Sequence, residues 1–105
     1  MATNRMEVLR NMVAQNPRDS FARYGLAMEY VKSGSLEQAV AEFRALLDHN
    51  PDYAAAYFHG GQALEKLGRL DDARAMYEQG VQVTSRTGDA HARSELQAAL
   101  DMLPL

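Results

Sequence analysis

The chain repeats itself. Displaced by 34 residues, its helix breakers, small residues and bulky residues fall on one another: Pro17 on Pro51, Gly34 on Gly68, Leu36 on Leu70, Ala39 on Ala73, Ala41 on Ala75, Tyr24 on Phe58 and Phe43 on Tyr77. A fixed period of about 20–50 residues is the mark of stacked supersecondary units, each of which needs its neighbours to bury an apolar face. Leu9 joins Phe43 and Tyr77 in the same register, so 2–16 reads as the second half of a truncated unit. Two whole units follow at 20–53 and 54–87, and 88–103 closes the array as a capping helix. Residues 1–105 together make one domain.

Within each unit the apolar spacing is helical. Phe21, Tyr24, Met28 and Val31 step by three and four, as do Leu36, Val40, Phe43 and Leu47 after the break. No stretch alternates with β-branched enrichment, which argues against strands. Gly34 suits the left-handed conformation that ends a helix. Ser35 with Gln38 has the spacing of a capping box, and Asp19 and Asp52 stand ready as caps beyond the prolines. Asp71 and Asp72 fall where the helix dipole favours negative charge. The pattern predicts six helices at 2–15, 20–33, 36–49, 53–67, 70–86 and 89–102. Their short connections force antiparallel pairs, and the expected fold is an all-α solenoid.

Composition narrows the function. The chain is 47% hydrophobic and 24% charged, which suits a folded domain, and 11 Lys and Arg against 14 Asp and Glu leave a net charge of −3. The charges are dispersed, so the basic stripe of a nucleic-acid binder is missing. The sequence contains no cysteine, which removes disulfides, thiolate metal sites and cysteine nucleophiles. No apolar run is long enough to enter a bilayer as a spanning helix, and Arg5, Glu7 and Arg10 interrupt what a secretory leader would need. A cytoplasmic setting is the simplest expectation.

The repeat resembles the tetratricopeptide repeat family. Leu26, Ala27, Tyr30, Ala39, Phe43 and Pro51 match its pattern in the first unit, and Tyr57, Gly61, Leu64, Ala73 and Tyr77 match in the second. Arg23 stands where the family usually has an aromatic, Gly60 replaces a Leu, and Ser85 replaces the closing Pro, so the second unit's last helix is expected to run on towards Thr87. The small residues Ala27, Gly61, Ala39 and Ala73 mark close helix crossings, and Phe43 and Tyr77 fill the wedges between pairs.

The resemblance implies a non-enzymatic protein-interaction module whose first helices line an inner groove. Carried onto this chain, the partner-binding residues are Phe21, Tyr24, Met28, Val31, Phe58, His59, Gln62 and Arg93, with Lys32, Glu65 and Lys66 alongside. Exposure is expected for Tyr24, Met28 and Phe58. The chaperone-tail clamp of one family subtype needs cationic and amide side chains that Tyr24, Met28, His59 and Asp89 do not supply; Arg93 alone fits. An apolar segment, such as an amphipathic helix or peptide of another protein, is the expected ligand. Homodimerisation through the same surface is the alternative. A third possibility, a small enzyme or metal protein built on His59, has little behind it: His49, His59 and His91 lack metal-ligand spacing, there is no phosphate loop or nucleophile elbow, and Asp71 and Asp72 point about 100° apart on a helix. No cofactor is expected.

Overall fold

The computed structural model describes residues 4–104 and is helical throughout, an α-solenoid measuring 45 × 29 × 19 Å. In chain order the helices are α1 (Arg5–Gln15), α2 (Ser20–Lys32), α3 (Leu36–His49), α4 (Ala54–Lys66), α5 (Leu70–Thr87) and α6 (Ala90–Asp101). Among the described residues there is no strand. Each helix packs on its sequence neighbours, and α4 also touches α6. The expected helix boundaries agree to within a few residues; the predicted start of the first helix at residue 2 lies outside the described residues.

Helix ends follow one chemistry repeated. Gly34, Gly68 and Gly88 adopt φ of 81°, 77° and 77°, a left-handed backbone that costs glycine little. At the first of these, Gly34 N–H donates to Val31 O and Ser35 N–H donates to Tyr30 O, which satisfies two orphan carbonyls of α2. The later return at Gly68 repeats this pattern with donors Gly68 and Arg69. Caps at the other ends are less uniform. Asn4, Asp19 and Asp89 each accept a backbone N–H of the helix they precede. The Ser35–Gln38 box does not form, since the Ser35 side chain makes no bond to the first turn of α3. Asp52 does not cap α4 either; it is engaged by the Arg86 guanidinium at 2.6 Å.

Two apolar clusters make the core. One gathers Leu9, Leu26, Ala27, Tyr30, Ala39, Phe43, Leu46 and Ala56; the other gathers Val40, Tyr57, Leu64, Ala73, Met76, Tyr77, Leu96 and Leu103. Phe43 and Tyr77 are wholly buried, as wedge residues must be. Close crossings account for the small residues. A Cβ built on Gly61 would sit 2.2 Å from the Tyr77 ring, and one on Gly80 would sit 2.7 Å from Tyr57 Cβ and 2.9 Å from Leu96 Cδ1. Gly80 thus lets α5 approach both α4 and α6.

The departure at Arg23 has a structural reason. Tyr57, its equivalent in the second unit, donates its hydroxyl to Pro51 O at 2.7 Å. Arg23 reaches the matching carbonyl, Pro17 O, from Nη2 at 2.9 Å and also pairs with Glu42 at 2.8 Å. Two different side chains tie the helix to the preceding proline turn.

Candidate functional site

The first helix of each pair, α2 and α4, carries a stripe at equivalent positions. On α4 the stripe is Ala55, Phe58, Gln62 and Glu65, and facing it are Ala92, Glu95, Ala98 and Ala99 of α6 with its two cap residues, Asp89 and Met102. Between the two helices lie adjoining cavities of about 410 Å³ and 360 Å³. On α2 the same positions hold Phe21, Tyr24, Met28 and Val31, so these four and Phe58 and Gln62 share one register.

Their exposure differs. Phe21 is 74% exposed, whereas Tyr24, Met28, Val31, Phe58 and His59 are half-buried and Gln62 is exposed. Tyr24, Met28 and Val31 lean on the first core cluster, and Phe58 on the second. The expectation of free Tyr24, Met28 and Phe58 rings and chains is therefore met only in part: each shows one side outward and packs the other. Burial of the inner side arises from an aromatic ridge. Tyr24 lies 5.3 Å from Tyr53, 6.2 Å from Phe43 and edge-on to His59 at 6.0 Å; His59 stands edge-on to Phe58 at 5.3 Å, and Phe58 reaches Tyr77 at 6.5 Å. Offset and edge-on arrangements at these distances are the favoured ones for aromatic rings.

The ridge sets the electrostatics. Burial pulls the His59 imidazole below its ordinary pKa against a smaller opposing pull from Glu95, so the ring is neutral at pH 7. Burial, then the Glu65 carboxylate, push the Tyr77 phenol well above its usual value, and its hydroxyl donates to Glu65 Oε2. Burial also raises Tyr24, with Tyr53 adding to it. The one hydroxyl–carboxylate pair here, Tyr77 with Glu65, keeps its phenol protonated on a fully buried ring rather than presenting it as a nucleophile. Among the described residues no set of three His, Asp or Glu side chains is grouped to hold a metal, and no helix is long and apolar enough to cross a membrane.

Arg93 lines neither of these two cavities. It lines a separate hollow with Thr84, Ser85, Gly88 and Ala90. The physical cause is the length of α5: α4 begins 34 residues after α2, but α6 begins 36 after α4, at Ala90 rather than residue 88. Two extra residues rotate every α6 position by about 200°, which takes the groove place from Arg93 and gives it to Glu95. Glu95, Ala98 and Met102, the last 85% exposed, are the groove residues that spacing alone misses.

A stack of antiparallel helix pairs around a groove of this kind defines a helical-repeat protein. The tetratricopeptide repeat profile matches residues 24–90. A TPR repeat-containing protein of Pseudomonas aeruginosa is 30% identical over 98 residues, 93% of each chain. Among solved structures, a tetratricopeptide repeat domain protein from Salinibacter ruber is 41% identical, with a TM-score of 0.75 over 81% of this chain and 86% of that one. A protein from Bordetella parapertussis is 29% identical, with a TM-score of 0.81 over 95% of this chain and 87% of its own. The chain belongs to the tetratricopeptide repeat family.

Proposed function

We propose that this protein is a non-enzymatic interaction module that holds a peptide or amphipathic helix of another protein in the groove formed by α2, α4 and α6. In this reading 20–53 and 54–87 are the two complete units and 88–103 is the cap that completes the groove. The observation that carries it is the apolar surface left open by Phe21, Tyr24, Met28 and Phe58 at shared positions of α2 and α4, with Phe58 lining both adjoining cavities and Met102 one of them. Exposed aromatic and Met side chains on a rigid scaffold are the usual anchors of protein interfaces.

The test is affinity capture from the native cell with the wild-type chain and with a Phe21→Asp, Phe58→Asp variant shown to be folded by circular dichroism. A partner retained by the first and lost by the second supports the reading. A partner retained equally by both overturns it.

Self-association is the second reading, and one observation favours it. Val8 and Met12 on α1 are 42% and 38% exposed, whereas Met76 and Leu46 at equivalent positions of the repeat are buried. Light scattering across a concentration series, giving a constant monomer mass, would remove it.

A further inference from the structure

The polarity of the groove changes along its length. At its α2 end the shared positions hold the uncharged side chains Phe21, Tyr24, Met28 and Val31. At the other end Glu65 of α4 and Glu95 of α6 line one cavity, and Asp89 and Glu95 line the next. Neither cavity is lined by a Lys or Arg. Five of the nine arginines pair elsewhere: Arg5 with Glu29, Arg23 with Glu42, Arg69 with Asp72, Arg74 with Asp71 and Arg86 with Asp52. Among the described residues no Lys or Arg makes an ion pair with Glu65 or Glu95. Glu65 accepts only the Tyr77 hydroxyl, and Glu95 lies 3.5 Å from His91 Nε2 on its own helix.

We propose that the segment held in this groove is an amphipathic helix with a basic residue, its apolar side chains on Tyr24, Met28 and Phe58 and its Lys or Arg between Glu65 and Glu95. The inference rests on the groove-binding reading and adds the chemistry of the partner. Two carboxylates across a half-enclosed, aromatic-walled cavity offer a guanidinium or ammonium charge-assisted hydrogen bonds and a ring face. An acidic segment, or a terminal carboxylate, would meet like charge there, which is a strong basis for discrimination.

A random peptide library displayed on phage and selected on the immobilised full-length chain tests this. The expected result is binders that combine apolar residues with Lys or Arg. Their affinity falls on the order of tenfold for Glu65→Gln, Glu95→Gln but stays unchanged for Asp48→Asn, Glu78→Gln, which removes the same charge away from the groove. Gln at 65 still accepts the Tyr77 hydroxyl, so the fold is kept, and circular dichroism checks it. Binders without basic residues, or basic binders equally tight on Glu65→Gln, Glu95→Gln, overturn the charge inference while leaving the groove reading in place. Binders that hold equally well to Phe21→Asp, Phe58→Asp, or a selection that yields none, remove both.

Discussion

Two adjacent glycines in α4 allow the packing logic to be weighed in one helix. Both Gly60 and Gly61 are buried with ordinary helical backbone, and alanine at either gains about 1 kcal/mol of helix propensity. They differ in what the new methyl meets. At Gly60 it comes 3.4 Å from Met76 Cε and Phe43 Cβ, and the end of a methionine side chain yields easily. At Gly61 it comes 2.2 Å from Tyr77 Cε1 and 2.6 Å from Cδ1 and Cζ. That ring is fully buried and held by its hydrogen bond to Glu65, so backbone or ring must shift by more than about 1 Å to reach contact distance. Overpacking of this sort costs about 1–3 kcal/mol, at the upper end for a rigid ring. Gly60→Ala is expected at or slightly above wild-type stability and Gly61→Ala about 2 kcal/mol below Gly60→Ala. Urea denaturation followed by far-ultraviolet circular dichroism reads the difference. In the Gly61→Ala, Tyr77→Leu pair the ring is gone, and a double-mutant cycle recovers the clash as a favourable coupling. Equal midpoints for the two alanine variants would refute the account of close helix approach.

Three further outcomes follow from the same geometry. Phe43→Ala empties a wholly buried wedge and is expected to cost about 3–5 kcal/mol, whereas Phe21→Ala, on a ring 74% exposed, stays within about 0.5 kcal/mol by the same denaturation assay. Arg23→Tyr installs the group that Tyr57 uses on its proline carbonyl and holds stability near wild type, while Arg23→Ala loses about 1–3 kcal/mol; indistinguishable variants would sink the shared-tether explanation. His59 is held below its ordinary value of 6.5, so between 6.5 and its folded value the unfolded chain binds the extra proton and acidification destabilises the fold, the loss levelling off below the folded value. Urea midpoints at about pH 7.5 and about pH 5.5 are expected to fall further for wild type than for His59→Gln, and equal falls would contradict the buried-imidazole assignment.

The architecture was legible because a few residues recur at one offset for separate reasons. Prolines end units, glycines reverse the chain, alanines admit a crossing helix and aromatics fill what remains, and each acts locally. Caps were less legible. Ser35 follows a left-handed glycine whose backbone bonds already close the turn, and Asp52 finds Arg86 34 residues away, a competition no local pattern contains. On α2 and α4 the offset is constant, so equivalent positions fall on one face of both helices. On α6 the offset changes, because with Ser85 in place of a closing proline α5 continues to Thr87 and the following helix is turned. The clue was the missing proline itself, which foretold the longer helix but not the rotation that exchanges Arg93 for Glu95.

The linear order of contacts has a mechanical consequence. Among the described residues α1 packs chiefly on α2, whereas α4 is braced by α3, α5 and α6, so opening of the array is expected to begin with α1 and to leave the far layers closed. Deuterium uptake in α1 would then run ahead of uptake in α4 and α5. In a linear array of this kind the layer that opens first is the one with a single strong neighbour.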